Sequence, residues 1–576
     1  MQPGKVSSAL LLTYQDFQNA RKQGLEHHKQ SIGIASEINN PKPARAVVFL
    51  YTDEGQDLTE VEQETGARVN QGYGQVRTAI VPVESIGRLS EFDSIQRIKP
   101  SRYLKPRLNV APQAVSLPQF KSRTGLSGKG VVVGIIDSGI DPNHPAFSGR
   151  ILRIWDQTLN GVGVREGSYG VELSGSSLQV SRDLDGHGTH VAAIAAGSKE
   201  PYVGIAPEAT LVMVKTDFQD AHIADGIRYI FRLAREMNLP AVVNLSLGGH
   251  ADAHDGSDSL SKIIDAETGP GRLVCCAAGN EGNSNIHAQV VLSPGQSAYI
   301  PFSVPANATS AAWLNGWYPG NAPFEICVRT PGGFITPWQK VISLGYPVKT
   351  YNLADAIVDI STPPPDPMNK DHNFFVQIRH PYGYALKGGT WQLRVRNASL
   401  ATARLDAWTV DETETVAFSG TGTQDSMKIG SPGAASSAIT VASYTTRNQW
   451  TDIDNVTRQM GLELNNASDF SSEGPLRNGN TKPDVAAPGA MIISALSADS
   501  SNPRVYLVDK EYMVMMGTSM ASPFIAGILA LMLQRNPQLD PAKAKAMLKE
   551  NSIIPGYPSG TFNPKYGFGL VNAMNL

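Results

Sequence analysis

The chain has 576 residues, of which 41% are hydrophobic and 18% charged, and its formal net charge at pH 7 is −3. This length predicts about two to four domains, because a single hydrophobic core rarely grows so large. The nearly balanced charge argues against a nucleic-acid-binding or membrane-surface protein, and no uninterrupted apolar run is long enough to cross a bilayer.

The amino-terminal segment and the cysteines indicate where in the cell the protein is located and whether it contains disulfides. The stretch "MQPGKVSSALLLTYQDF" contains only a short run of apolar residues, which is shorter than the hydrophobic core of a signal peptide. We therefore expect a cytoplasmic protein, or one exported by a route for which the sequence carries no recognisable signal. Three cysteines cannot form a disulfide framework, and Cys275 and Cys276 lie in a pattern typical of a buried strand. We predict inert core thiols there, and neither a metal nor another cofactor.

The first hundred residues predict a small α/β module preceded by an extension. Residues 1–43 are polar and lack a clear period, which indicates helix and loop. Residues 44–105 alternate strand and helix in the order β-α-β-α-β, with Asp57 placed to cap the first helix and Gly66 placed to end it. This module by itself predicts no function.

A different pattern begins at residue 106 and continues to residue 287. Apolar runs bounded by glycines, the first of them at 131–136, alternate with helical segments, one of which has Asp220 placed to cap it. Strands that are covered on both faces and separated by helices predict an α/β fold with an open, doubly wound and mostly parallel sheet.

The pattern changes again over residues 288–425. Apolar residues alternate with polar ones at period two, as in Trp391, Leu393 and Val395, between clusters of turn residues. This alternation predicts an inserted antiparallel β-sandwich of the jelly-roll kind. The α/β pattern returns over residues 426–576, which we therefore expect to be the second part of the interrupted domain.

Three chemically reactive side chains stand at junctions between the predicted strands and helices. Asp137 ends a strand, and His187 and Ser519 each begin a helix. Such junctions meet at one edge of a doubly wound sheet. A serine nucleophile needs a neighbouring base, an imidazole suits that task at neutral pH, and a buried carboxylate orients the imidazole. The side-chain amide of Asn280 and the backbone N–H of Ser519 would then stabilise an oxyanion.

Each of these residues alone has a simpler interpretation. Asp137 before Ser-Gly is typical of a turn, and Asn280 of a left-handed turn residue. The "HGTH" pair that contains His187 could hold a metal, and Ser519 could be a helix N-cap. Their joint occurrence in the order Asp, His, Asn, Ser favours a nucleophilic catalytic site.

Eight short motifs carry a resemblance to a known family. They are "IIDSGIDPNHPAF", "GHGTHVAAIAAG", "VGIAPEATLVMVK", "VVNLSLGG", "AAGNEGN", "FSSEGP", "KPDVAAPG" and "GTSMASPFIAGILALML". In this order they resemble the subtilisin-like serine proteases. The resemblance implies that Asp137 orients the imidazole, His187 is the general acid and base, Ser519 is the nucleophile and Asn280 is an oxyanion donor.

The same resemblance implies where a substrate binds. The motif "SLGG" implies that Ser246, Leu247 and Gly248 pair with the substrate backbone and edge the pocket for the residue before the scissile bond, the S1 pocket. The motif "AAG" implies that Ala278 and Gly279 form the other wall of that pocket. No cofactor is implied.

The resemblance also gives the module 44–105 a meaning. It resembles the family's prodomain, a folding chaperone whose carboxyl-terminal tail inhibits the active site, and cleavage near 103–112 would release it unless it is retained. A calcium site after the histidine helix is not expected, because the loop there is short and offers only Glu200. A prodomain together with a jelly-roll insertion resembles the germination-type proteases of clostridial spores, which adds a spore-associated location to the alternatives.

We therefore predict a serine endopeptidase, made as a zymogen, with polypeptide substrates and its own prodomain as partners. Neither nucleic acid nor a membrane is an expected partner, and the oligomeric state stays open. One alternative is a dedicated processing protease that activates one proprotein. Another is a pseudoprotease, a binding protein whose cleft is blocked by its prodomain.

Overall fold

The computed structural model describes residues 1–18, 34–35, 44–70, 72, 74–101, 105–106, 115–410 and 415–576. Within these ranges the chain forms a large mixed sheet with helices on both faces, an amino-terminal α/β module and a pair of further antiparallel sheets. The large sheet and its helices position the candidate site.

The large sheet has eleven strands among the described residues, and its central strands are parallel. In spatial order the strands are Ser552–Ile553, Leu570–Val571, Val485–Pro488, Ile439–Thr445, Arg272–Ala277, Ala241–Leu245, Val132–Asp137, Thr210–Lys215, Ile151–Asp156 and Val171–Leu173, with Asn466–Ala467 paired to Ile439–Thr445. The first and last of these strands and Asn466–Ala467 are antiparallel to their neighbours. The predicted open and mostly parallel sheet is confirmed.

Helices cover both faces of this sheet, because its central strands are apolar on both faces. The helices His187–Ala196 and Thr518–Arg535 pack on one face, and Asp220–Glu236 and Ser259–Glu267 pack on the other. The remaining helices of this part of the chain are Leu117–Thr124 and Pro541–Glu550. The helix Thr518–Arg535 is buried from its first residue to Leu533, which explains why its sequence is apolar on all sides.

Two details of the predicted helices and strands are tested directly. Asp220 is the first residue of its helix and not the cap; the cap position belongs to Gln219, because the chain enters helical geometry one residue later than the pattern indicated. Cys275 and Cys276 are fully buried, and burial raises the pKa of Cys275 to about 12 and that of Cys276 well above its ordinary value. The prediction of core thiols is confirmed.

The amino-terminal module is an antiparallel sheet with helices. Its strands are Ile34–Ala35, Arg45–Tyr51, Arg68–Val69, Val76–Pro82 and Arg97–Pro100, and its helices are Ser8–Gln18, Thr59–Thr65 and Ile86–Leu89. The segment expected as one strand after Gly66 is two antiparallel strands, and Gly74, which lies between them, has φ of +79°. Leu10, Leu11 and Leu12 of the first helix are buried in the module's core, so residues 8–18 are part of this body.

Two antiparallel sheets occupy residues 287–418. One contains His287–Leu292, Ala311–Tyr318, Val348–Asn352, Ile357–Ser361, His372–Arg379 and Ala403–Thr409. The other contains Ser297–Val304, Phe324–Arg329, Gly389–Asn397 and Ala417–Phe418. Their apolar faces share one core, in which Trp391, Leu393 and Val395 are fully buried.

The amino-terminal module contacts both other parts of the chain. Its core continues into Trp313 and Phe375 of the β-sheet pair. Lys99 Nζ lies 3.1 Å from Asp366 of the same pair, and the Tyr51 hydroxyl hydrogen-bonds Ser259 Oγ of the large body at 2.7 Å. These contacts hold the module between the two other bodies.

A buried carboxylate lies where the module meets the helix Asp220–Glu236. Asp225 accepts hydrogen bonds from Asn70 Nδ2 at 3.0 Å and Thr78 Oγ1 at 2.6 Å, both in the module, and from the Tyr169 hydroxyl at 2.9 Å. Burial raises the pKa of Asp225 to about 6, against the lowering effects of Arg228 and Thr78. The interface between the amino-terminal module and the helix Asp220–Glu236 therefore contains a carboxyl group whose pKa is close to neutral pH.

This titration predicts a pH-dependent stability. Because the folded-state pKa of about 6 lies above the ordinary value of 3.8, the contribution of Asp225 is complete below pH 3.8 and is lost as the pH rises through 6. The free energy of unfolding of the native chain, relative to Asp225→Asn, should fall by about 3 kcal/mol between pH 3.5 and pH 8. Calorimetric unfolding of both proteins across this range measures the difference, and parallel stability curves would contradict it.

Candidate active site

Asp137 and His187 form a buried pair at the carboxyl edge of the large sheet. Asp137 is the last residue of the strand Val132–Asp137, and its Oδ1 accepts from His187 Nδ1 at 2.6 Å and from the Ser138 backbone N–H at 2.7 Å. Both side chains are almost fully buried. Since Nδ1–H donates to the carboxylate, the neutral imidazole has its basic nitrogen at Nε2.

Two opposing effects act on the pKa of Asp137. Burial raises the pKa of Asp137, while His187 opposes the rise by Coulomb attraction and hydrogen bonding. Asp137 Oδ2 has no hydrogen-bond partner among the described residues. The carboxylate is thus held chiefly by the imidazole, which is the arrangement that favours an imidazolium when His187 takes up a second proton.

A second carboxylate, which sequence reasoning missed, holds His187 in place. Asp183 accepts from the Ser138 hydroxyl at 2.9 Å, from the Gly186 N–H at 2.9 Å and from Thr189 Oγ1 at 2.6 Å. Its place in "RDLDGHGTH", four residues before the histidine, is the available signal. Asp183 therefore joins the end of the Asp137 strand to the start of the histidine helix.

The histidine helix needs a glycine after His187. A Cβ added to Gly188 would lie 2.1 Å from the carbonyl oxygen of Gly139 and 3.1 Å from Cβ of Asp137. Only a residue without a side chain permits this approach of the helix to the turn after Asp137.

Ser519 lies in the first turn of the helix Thr518–Arg535. The preceding Gly517 has φ of +151°, which few side-chain-bearing residues adopt, and it serves as the cap residue. Ser519 is thus inside the helix, and its alternative interpretation as an N-cap is wrong. Its hydroxyl donates to the Ser246 carbonyl at 3.1 Å, and the side chain is buried.

Pro523 explains the role of Ser246. Pro523 is the sixth residue of the helix, and it has no N–H to give the Ser519 carbonyl four residues earlier. Ser246 Oγ donates to that carbonyl instead, at 2.6 Å. The carboxyl end of the strand Ala241–Leu245 is thereby joined to the start of the Ser519 helix.

Asn280 follows the strand Arg272–Ala277 and faces the same helix. Its Oδ1 accepts from the Thr518 N–H and from Thr518 Oγ1, both at 2.9 Å. The amide nitrogen is consequently the end directed away from Thr518 and available as a donor. The residue with positive φ here is Gly279, at +110°, so the interpretation of Asn280 as a left-handed turn residue is wrong.

The structure brings these four residues to one edge of the sheet. The helices that begin at His187 and Thr518 pack together on one face, and Ser246 and Asn280 follow neighbouring parallel strands. An imidazole base, a serine hydroxyl and an amide donor at such an edge can support attack on a carbonyl group.

A small cleft lies beside Ser519. Four of the five residues expected to bind substrate line it, and the fifth, Ser246, lies beneath Ser519 and is fully buried. The lining residues are Leu247, Gly248, Gly249, His250, Ala277, Ala278, Gly279, Glu281, Gly430, Ser431, Thr518 and Ser519. Sequence reasoning missed His250, Glu281, Gly430 and Ser431, because they come from loops whose placement no local pattern indicates.

The edge of this cleft is already paired with another segment of the chain. The strand Leu247–Gly248 pairs antiparallel with Lys105–Pro106, with Gly248 opposite Lys105 and Leu247 opposite Pro106. The segment that follows the amino-terminal module therefore lies on the strand expected to receive substrate.

The second histidine of "HGTH" does not assemble a metal site. His190 Nε2 faces the Met513 carbonyl at 3.3 Å, and burial lowers the pKa of His190 well below its ordinary value. No group of three or more His, Cys, Asp or Glu side chains in the described ranges is placed to hold a metal ion. No helix within the described part of the chain is both long and apolar enough to cross a membrane.

Comparisons with known proteins agree with this geometry. The sequence profile described as the Subtilase family matches residues 128–347 and 388–569. The serine protease AprX of Bacillus subtilis (strain 168) is 26% identical over 510 residues, covering 84% of this chain and 75% of AprX. Subtilisin E of the same organism is 27% identical over 285 residues, covering 47% of this chain and 66% of subtilisin E.

A solved structure shares most of the architecture. The Clostridium perfringens CspB protease superposes with a TM-score of 0.67 at 25% identity, covering 80% of this chain and 95% of that one. The family match spans more than half of the chain and includes Asp137, His187, Asn280 and Ser519. The chain therefore belongs to the subtilase family of subtilisin-like serine proteases.

Proposed function

We propose that this enzyme is a serine endopeptidase that hydrolyses polypeptides through an acyl-enzyme at Ser519. The observation that carries the proposal is the 2.6 Å contact between His187 Nδ1 and buried Asp137, at the sheet edge where the helix that contains Ser519 begins. This contact places the proton of the neutral imidazole on Nδ1, which makes His187 Nε2 the basic nitrogen that can take up the proton of a serine hydroxyl.

The proposed reaction has two stages. His187 takes the proton of Ser519 as Oγ attacks the peptide carbonyl, and then gives it to the leaving amine. Asn280 Nδ2 and the Ser519 backbone N–H stabilise the oxyanion; that N–H lies in the first turn of a helix, where it has no intrahelical acceptor. Water then attacks the acyl-enzyme by the reverse proton path and releases the second product.

The amino-terminal module is proposed to be a ferredoxin-like prodomain that comprises residues 44–105 together with the helix Ser8–Gln18 of the extension expected over 1–43. The catalytic domain comprises 106–287 and 426–576, and 288–425 form an inserted jelly-roll-like domain. The pairing of Lys105–Pro106 with Leu247–Gly248 supports inhibition by the prodomain tail, since a substrate would use the same strand. The maturation sites considered at 103–112 lie, apart from 105–106, outside the described residues.

A second candidate function is a dedicated processing protease that activates one proprotein. It is favoured by the similarity to the CspB protease. That similarity covers nearly all of the CspB chain, so it extends beyond the catalytic domain. A pseudoprotease is disfavoured, because Asp137, His187, Asn280 and Ser519 are all present at one edge.

A serine-reactive fluorophosphonate tests the proposal. We expect the probe to label the native chain, whether full-length or self-processed, and not to label Ser519→Ala. Absence of labelling in both forms of the native chain would overturn the enzymatic proposal and favour the pseudoprotease. A cleavage profile over a proteome-derived peptide library then separates broad digestion from processing of one sequence.

Removal of the Asn280 amide tests the oxyanion site. Asn280→Ala should lower kcat by about 10²–10³-fold with little change in KM, because the donor acts on charge that develops only in the transition state. Steady-state hydrolysis of a peptide substrate measures both constants. Asn280→Asp keeps the acceptor for Thr518 but removes the donor, so it should be equally impaired; an active Asp variant would contradict the role.

A further inference from the structure

We infer that a recess between the amino-terminal module and the helix Asp220–Glu236 is a binding site for a phosphate group, carried by a small anion. The inference does not depend on the proposed peptidase function, because no residue lines both this recess and the cleft beside Ser519. It adds a ligand that would join the module to the large body of the chain.

Arginine side chains from three segments of the chain line the recess. One comes from the module strand Val76–Pro82, one from a loop of the large body, and three from the helix Asp220–Glu236, where spacings of four and three residues place them on one face. The set is Arg77, Arg165, Arg228, Arg232 and Arg235. Such a concentration of cations attracts anions.

Carboxylates hold two of these arginines in place. Arg232 donates to Glu166 at 2.6 Å and to Glu236 at 2.9 Å. Arg228 donates from Nε to Glu267 at 3.0 Å. These pairs order two guanidinium groups at the wall of the recess before a ligand arrives, which lowers the entropic cost of binding an anion there.

Two guanidinium nitrogens at the recess are buried and have no acceptor among the described residues. They are Arg228 Nη1 and Arg77 Nε. Arg228 is only 6% exposed and donates from Nη2 to the Val76 carbonyl of the module at 3.2 Å. Asp225 Oδ1 lies 3.8 Å from Arg228 Nη1, too far for a hydrogen bond. A buried donor without an acceptor is destabilising, and an anion in the recess would supply acceptors.

Arg77 carries a charge that no described carboxylate balances. The ion pairs of the recess involve Arg228 and Arg232, and none in the described ranges includes Arg77 or Arg235. Burial and the neighbouring charge of Arg228 lower the pKa of Arg77. Arg77 on the module and Arg228 on the helix therefore repel each other across the interface.

The recess stays cationic when every carboxylate that contacts its arginines is counted. Five arginines face the carboxylates of Glu166, Glu236, Glu267 and Asp225. One positive charge remains when all four are ionised, and two remain when Asp225 is protonated. A phosphate group carries about −1.5 to −2 at pH 7, which matches this excess, and its oxygens suit the paired N–H donors of guanidinium groups.

Titration calorimetry of the full-length chain with inorganic phosphate tests the inference. The chain carries Ser519→Ala, so that it cannot release its own module, and sodium chloride keeps the ionic strength constant. We expect saturable binding of phosphate and no binding of acetate at the same concentrations. Absence of phosphate binding, or equal binding of acetate, would overturn the inference.

Arg77→Gln identifies the place of binding. Glutamine removes the guanidinium, so the Kd for phosphate should rise by about 10-fold, the scale of one charge-assisted pair. Arg88→Gln is the matched control, because Arg88 is an exposed arginine of the same module that pairs with Glu64 and Glu91 outside the recess. Its replacement should leave the Kd unchanged. An equal rise in both variants, or no rise in Arg77→Gln, would contradict the site.

Arg235→Gln provides an independent variant should Arg77→Gln fail to fold. Arg235 is exposed near the end of its helix, so its replacement disturbs no packed side chain. We expect a rise in Kd of about 3-fold, smaller because solvent and salt screen an exposed charge. No rise would contradict the inference.

Amide hydrogen exchange of the same chain locates the ligand. Phosphate should slow exchange in the strand Val76–Pro82 and the helix Asp220–Glu236, since an anion shared by both opposes their separation. Protection confined to other segments would overturn the assignment. Adenosine monophosphate separates two sources of the group: equal protection by it supports recognition of a phosphate ester, and protection by inorganic phosphate alone supports the free anion.

These measurements are independent of hydrolysis. A chain that binds no phosphate but is labelled by the fluorophosphonate when Ser519 is present retains the peptidase and rejects the anion site. A chain that binds phosphate as expected but is never labelled retains the anion site and rejects the peptidase.

Discussion

Replacement of Ser519 by alanine is expected to lower the rate of peptide hydrolysis by roughly 10⁵-fold or more, the scale on which nucleophile removal acts in serine-protease triads. The hydroxyl is the only group at this position that can form the acyl-enzyme. The loss should fall on kcat, because Ser519 is buried at the end of the cleft and contributes little to substrate binding. Hydrolysis of a fluorogenic peptide measures the effect.

Ser522→Ala is the matched control for this prediction. Ser522 lies three residues later in the same helix, and its hydroxyl donates to Asn244 Oδ1 at 2.7 Å instead of facing the cleft. The change of a buried serine to alanine is therefore the same, and only the position relative to the carbonyl of a substrate differs. We expect Ser522→Ala to remain within about 10-fold of the native rate, since only a local hydrogen bond is lost. Equal loss in both variants would indicate a folding defect and contradict the nucleophile assignment.

The Ser519→Ala variant also reports on maturation. If cleavage near 103–112 is carried out by the enzyme's own active site, Ser519→Ala should stay full-length under conditions in which the native chain is shortened. Intact mass spectrometry of both proteins gives the result directly and also identifies the scissile bond. Identical cleavage in the two proteins would refute self-processing.

Replacement of Asp137 by asparagine is expected to lower kcat by about 10⁴-fold while the fold is retained. The amide has the size of the carboxylate, but it presents a donor to His187 Nδ1. The imidazole would then carry its proton on Nε2, which leaves no base for Ser519, and the imidazolium formed during the reaction would lose its stabilising charge. Steady-state kinetics and thermal unfolding together measure the effect.

Asp185→Asn serves as the control for the Asp137 prediction. Asp185 is exposed, and its carboxylate accepts from the backbone N–H of His187 at 3.2 Å, not from the imidazole ring. Its replacement removes one negative charge near the histidine without disturbing the tautomer. We expect only a small change in kcat; a loss similar to that of Asp137→Asn would show that total charge, and not the contact with Nδ1, is what matters.

Much of the arrangement of the candidate site is predictable from local sequence. Asp137 ends an apolar run bounded by glycines, and His187 and Ser519 each begin an apolar helical run. A doubly wound sheet brings such junctions to one edge whatever the length of chain between them. The antiparallel sheets over 287–418 do not obscure this rule, because the parallel strands before and after them in the sequence retain their own pattern.

The supporting contacts were not predictable in the same way. Ser246 bonds the carbonyl that Pro523 leaves unsatisfied, and Thr518 bonds the oxygen of Asn280, across more than two hundred residues in each case. Periodicity indicates which face of an element is buried but not which distant residue it meets there.

The sequence by itself therefore determined the family, the sheet and the residues at its carboxyl edge, because strand and helix patterns are local and the topology of such sheets is nearly fixed. Only the tertiary structure decided what surrounds the cleft. Glu281 and His250 lie in loops, where no period links sequence to position, and Lys105–Pro106 reaches Leu247–Gly248 through a contact between separate bodies of the chain. Contacts of this kind depend on how the helices, strands and loops pack against one another, and this packing is determined by residues throughout the chain.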